Sequence, residues 1–248
     1  MSAAPLRLHA VPPAEPAGVW RGTELAHQTQ ATIASGHAAL DRELPGQGWP
    51  LAQLTEILQT QAGLHEWRLL RPALRQAVER GPLVLIGAPH LPNLPALAGA
   101  GIPADQVLRI EARTPAERLW AAEQALRCKA LGVLLVWLPQ ARAEQLRRLQ
   151  LAAHNAQASQ ALVFALRPIQ AQHESSPAPL RLAVQAGEGL SLSVQLLKRR
   201  GPLLEQPLAL DAPLSVMAAL KPVRSPNPEP AHAVDRPARP RIRKLAAA

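Results

Sequence analysis

The sequence predicts an α/β protein: a mostly parallel sheet flanked by helices and finished by a C-terminal antiparallel hairpin. Three observations predict it. The short, wholly apolar runs Leu83-Val84-Leu85-Ile86 and Val133-Leu134-Leu135-Val136-Trp137 suit strands buried on both faces. Segments of helical spacing alternate with such runs, which calls for parallel strands joined by right-handed crossovers. Near the end, two runs of alternating character flank Gly187-Glu188-Gly189, a hairpin pattern.

Each element has a local reason. Leu54-Thr55-Glu56-Ile57-Leu58 is strand-like. Glu66 to Glu79 reads as a helix with Leu70, Leu74, Ala77 and Val78 on one face, and Pro72 inside it removes an amide donor and predicts a kink. Leu83 to Ile86 is a strand, Asn93 to Ala100 a short helix and Val107 to Ile110 a strand. Thr114-Pro115-Ala116-Glu117 combines an N-cap, proline at the first helical position and glutamate at the third. Leu119, Ala122, Leu126 and Ala130 then keep helical spacing, with Gly132 as the expected stop. Val133 to Trp137 is a strand. Ala143 to Ala156 is a helix, with Leu146 and Leu149 inward and Arg147 and Arg148 outward. Ala161 to Leu166 is a strand, Gln170 to Pro179 a loop, and Leu180 to Val184 with Leu190 to Leu196 the hairpin.

Composition bounds the function. The chain has 248 residues, 48% of them hydrophobic, enough for a substantial core. One cysteine excludes a disulfide framework and a cysteine-cluster metal site. The net charge is +9, which suggests an acidic partner. Its placement qualifies that suggestion. Residues 221–248 hold seven basic residues, two acidic ones and six prolines, a net +5 that leaves +4 for the rest. Such a segment lacks the large apolar residues needed to offset its ordering entropy, so a disordered basic tail is expected. The expected organisation is a flexible leader (1–30), a folded domain (31–202), a connector (203–220) and the tail (221–248). No secretory signal is read at the start, and the longest apolar run, Leu131 to Leu138, falls well short of the ~20 residues of a spanning helix. A soluble cytoplasmic protein without membrane contact is expected.

Three phrases carry a family resemblance. Ser35-Gly36-His37-Ala38-Ala39-Leu40-Asp41, Leu44-Pro45-Gly46-Gln47-Gly48-Trp49-Pro50 and Leu54-Thr55-Glu56-Ile57 together resemble the run that precedes the phosphate-binding loop in the RecA core. Leu54-Thr55-Glu56-Ile57-Leu58, Glu66-Trp67-Arg68-Leu69-Leu70-Arg71-Pro72-Ala73-Leu74 and Ala88-Pro89-His90-Leu91-Pro92 with Leu97 to Ile102 after it resemble the ImuA family, a RecA-like group related to the division inhibitor SulA. The resemblance covers most of the chain between its tails. It implies a RecA-like fold and a role in SOS-inducible translesion DNA synthesis, beside an ImuB-type polymerase homologue. RecA, and DNA through the basic tail, are further candidate partners.

On that alignment the ATPase motifs are degenerate. A Walker A loop needs glycines, a lysine and a hydroxyl on magnesium. Here Gln59 and Leu64 stand at the glycine positions, His65 at the lysine and Glu66 at the hydroxyl, with Gly63 one place out of register. An unperturbed imidazole is mostly neutral at pH 7. Trp137 stands where the Walker B aspartate belongs, and Pro89 where the catalytic glutamate belongs. No catalytic residue, cofactor or metal is therefore expected. The eight histidines are scattered without metal-ligand spacing. Cys128 reads as a small buried residue of the capped helix. Trp67, Trp120 and Trp137 read as core residues, and Trp49 as packed beneath its glycine-rich run. Trp20, in the polar leader, reads equally as a docking anchor or as a residue packed on the domain.

Interaction candidates are Lys198, Arg199 and Arg200 at the end of the last strand, and Arg239, Arg241, Arg243 and Lys244 in the tail. The tail has no aromatic residue for stacking on bases, but its charges suit phosphates or an acidic groove. The expected function is a non-catalytic accessory of translesion synthesis. The alternatives are a SulA-type inhibitor acting on FtsZ and, less favoured by the residues, a RecA-like ATPase or a general DNA-binding protein.

Overall fold

The computed structural model describes residues 31–156 and 160–212. The expectations for the leader with Trp20, and for the tail with Arg239, Arg241, Arg243 and Lys244, fall outside the described residues.

The described chain forms β1 (Thr32–Ile33), α1 (Ala38–Glu43), β2 (Trp49–Pro50), β3 (Leu54–Gln59), α2 (Glu66–Ala77), β4 (Leu83–Ile86), α3 (Leu94–Gly99), β5 (Val107–Ile110), α4 (Pro115–Leu126), β6 (Val133–Trp137), α5 (Ala143–Asn155), β7 (Leu162–Pro168), β8 (Leu180–Ala186), β9 (Ser191–Lys198) and β10 (Leu208–Asp211). β1 and β2 pair by themselves. The other eight strands form one sheet in the order β10-β9-β8-β3-β7-β6-β4-β5. From β8 to β5 every pairing is parallel, and β9 and β10 are added antiparallel. This is the mostly parallel sheet with an antiparallel hairpin that the sequence predicts.

Strand parity divides the core into two layers. Leu83, Leu85, Val133, Leu135, Trp137 and Phe164 face α2 with Leu69, Leu70 and Leu74. Val84, Ile86, Leu134, Val136, Val163 and Ala165 face α4 and α5 with Leu119, Leu126, Leu146 and Leu149. Because both faces are covered, these strands need apolar side chains at every position. Trp49 is fully buried and meets Phe164 edge-on, with ring centroids 5.3 Å apart.

The first phrase of the resemblance folds against α2 at its proline. Gly36 has φ +81°, and a Cβ there would lie 2.2 Å from the Pro72 Cβ. The neighbouring His37 donates from Nε2 to the Leu69 carbonyl at 3.1 Å. The helix runs without interruption from Glu66 to Ala77, and its proline ring is the seat for this turn. α4 starts as predicted, on a complete capping box between Thr114 and Glu117.

Several expectations need correction. α4 ends at Leu126, so Ala130 is outside the helix, and Cys128 is exposed on the turn that follows. The Cys128 amide bonds to the Ala125 carbonyl, closing the chain into a turn before Gly132 is reached. Trp120 is 66% exposed, since Leu119, Ala122 and Leu126 already fill the inward face of α4. The expected loop after β7 contains a short 3-10 helix, Ile169–His173. The sheet also runs beyond residue 202: Leu208 to Asp211, in the stretch expected as a connector, pair with Ser191 to Val194.

Candidate functional site

The carboxyl ends of β3, β4, β6 and β7 meet at one edge of the sheet, and the loop from Gln59 to Glu66 lies across it. Ligands of open α/β sheets bind at such an edge. α2 begins at Glu66, with His65 as its N-cap. Gly63 has φ +88°, and a Cβ on it would lie 2.7 Å from the His90 ring, so this position needs glycine twice over.

The loop amides converge as they do around an anion, and the anion belongs to the chain. Glu66 is fully buried. One of its carboxylate oxygens, Oε1, accepts the Gly63 N–H at 2.6 Å, and Oε2 accepts the His65 N–H at 3.1 Å. Trp137 Nε1 donates to Oε1 at 3.2 Å. A carboxylate at a helix N-terminus is favoured by the helix dipole and by the unpaired amides there. The residues at the expected magnesium-hydroxyl and Walker B positions, 71 apart in sequence, therefore make one contact. Trp137 reaches Glu66 because it shares strand parity with Val133 and Leu135, which face α2.

His65 stands where a lysine would be needed, in surroundings that disfavour a charged ring. Its pKa is pushed below the usual 6.5, first by burial and then by the Arg68 guanidinium, with Glu66 opposing. Gln59 is also buried, and its Oε1 faces the His65 N–H at 3.4 Å. Leu64 is 48% exposed at the loop's crest. Pro89 lies on the rim, between a cleft of about 730 Å³ and a smaller apolar one of about 340 Å³.

Beneath the larger cleft is a charged cluster that sequence reasoning missed. Glu56 on β3 is fully buried and bonds Arg167 on β7 at 3.0 Å and Arg181 on β8. Arg167 also bonds Glu174 and the Ala141 carbonyl, and Arg181 bonds the carbonyls of Ala171 and Glu174. The signal was present: three otherwise uncharged strands each carry one charge at a position with the parity of the α5 face.

The strand-end cations are differently engaged. Lys198 donates to the Ser176 carbonyl at 2.8 Å, and Arg199 pairs with Glu43 at 2.9 Å. Arg200 is exposed. Among the described residues no group of three or more His, Cys, Asp or Glu is placed to hold a metal ion, and no helix is long and apolar enough to cross a membrane.

Fold and loop together define a mostly parallel α/β protein whose loop between β3 and α2 is closed on its own glutamate. No family model matches the sequence. Over 120 residues, 48% of this chain and 70% of the relative, it is 32% identical to the cell division inhibitor SulA of Edwardsiella piscicida. The chain belongs to the SulA-related family.

Proposed function

We propose that this protein is a non-catalytic accessory of the SOS response that acts through protein contacts, with translesion DNA synthesis as its setting. The observation that carries the reading is the buried Glu66 carboxylate on the Gly63 and His65 amides. A nucleotide phosphate would have to displace a bonded negative charge before reaching those amides, and His65 stands at the position where a lysine would compensate it. The sheet then serves as a platform for an ImuB-type polymerase homologue. The basic segment 221–248 adds a contact to that partner, to RecA or to DNA. The ImuA resemblance supports this setting.

Deleting the gene should lower ultraviolet-induced mutation, and a pull-down of the polymerase homologue should weaken when residues 221–248 are removed. Undiminished mutation in the deletion strain refutes the translesion role. Similarity to a named cell division inhibitor supports a second reading, inhibition of the division GTPase FtsZ. Filamentation on overexpression, with normal induced mutation in the deletion strain, would favour it.

A further inference from the structure

Outside the Glu66 plug, the larger cleft carries features of an anion receptor. Its lining includes four arginines, Arg109, Arg113, Arg118 and Arg167, against one carboxylate, Glu111. Glu111 is already paired with Arg109 Nη1 at 2.7 Å. Arg118 is spent on the carbonyls of Ala112 and Trp137, which fixes the wall.

The second observation is independent of charge. Three buried N–H donors on lining residues have no acceptor among the described residues: Arg109 Nε, Arg167 Nε and Gln59 Nε2. Arg167 and Gln59 are only 3% and 2% exposed. A buried donor without an acceptor costs about 1–3 kcal/mol, and native proteins leave few of them. All three unmatched groups are of one kind, and what they lack is an acceptor. The cleft volume, about 730 Å³, lies in the range of small-molecule sites.

We propose that this cleft binds a small multivalent oxyanion, a phosphate-bearing or polycarboxylate molecule. Arg109 and Gln59 meet its oxygens, and the exposed Arg113 supplies charge at the mouth. Glu66 is not part of the lining, so the site works with the loop plugged. The inference is independent of the accessory role proposed above.

The test is calorimetric titration of the full chain with inorganic pyrophosphate and, separately, with citrate, at low ionic strength. A single saturable site is expected for at least one of them. Saturation by pyrophosphate alone assigns phosphate chemistry, by citrate alone carboxylate chemistry, and by both a general oxyanion site. Arg109→Gln should weaken binding about tenfold or more, as loss of a charged donor does. Arg113→Ala changes only an exposed side chain and should weaken it several-fold with the circular dichroism spectrum unchanged. The proposal is overturned if neither anion saturates. It is equally overturned if Arg113→Ala and Arg109→Gln, both folded, bind as the parent does, since binding would then reside elsewhere, such as in the basic tail.

Discussion

Replacing Glu66 by alanine removes the acceptor for three donors at once. The Gly63 amide lies on an exposed residue and can be rewetted, but Trp137 Nε1 and the His65 amide belong to buried residues. The His65 amide keeps Gln59 Oε1 at 3.4 Å, so Trp137 Nε1 is the buried donor left unpaired, which predicts a loss of about 2 kcal/mol. For a chain of this size that lowers Tm by about 4–8 °C. Glu66→Gln keeps the shape and one good acceptor, and should lose about half as much. The assay is urea unfolding followed by far-ultraviolet circular dichroism. Because alanine leaves a carboxylate-sized gap facing the amides, sodium acetate should restore part of the lost stability. At about ten times its Kd the gain is roughly 1.4 kcal/mol. Sodium chloride at matched ionic strength should not do this. If Glu66→Ala unfolds within about 0.5 kcal/mol of the parent, the carboxylate is not the anion of the loop. Equal effects of acetate and chloride would refute the gap-filling argument.

Other outcomes follow from the same geometry. Glu56→Ala leaves buried Arg181 without a carboxylate, while Arg167 keeps Glu174, and should cost about 3 kcal/mol by denaturant unfolding, whereas replacing all three residues by apolar ones of similar volume should recover most of it. His65 has a lowered pKa, so its folded form resists the proton that the unfolded chain accepts. Its contribution is intact above the usual 6.5 and is lost as pH falls below that value. His65→Gln should flatten the Tm profile in that window. Thr114→Ala removes the acceptor for the Glu117 amide and should cost about 1 kcal/mol in thermal unfolding. Trp49→Ala should cost about 3–5 kcal/mol, but Trp49→Phe much less, because the buried Trp49 Nε1 makes no hydrogen bond among the described residues.

The fold was legible where a local pattern had a single structural solution. β4 and β6 are apolar at every position because both sheet faces are covered, and Thr114 with Glu117 admits little but a helix start. Trp120 and Cys128 were misplaced because helical spacing marks a stripe without saying how far the core reaches along it. β10 escaped notice because Leu208 to Asp211 is short and framed by prolines, and its strand character comes from pairing with β9. At the site, the losses at positions 65, 66 and 137 were each readable from the sequence. Their joint meaning was not, since the Trp137 bond to Glu66 exists only once β6 and α2 share a face.

The glutamate and two arginines beneath the cleft also constrain which chain alignments are possible. They come from three adjacent strands, β8, β3 and β7, and all lie on one face of the sheet. Sliding any one of these strands by a single residue would turn its charge through the sheet into the layer of leucines under α2, with no counterion to meet it. The penalty for such a slip is that of an unpaired buried ion, several kcal/mol. Leucine-rich parallel strands are otherwise nearly interchangeable in alignment. Three charged side chains thus act as a key that admits one threading of β8, β3 and β7 at the centre of the sheet.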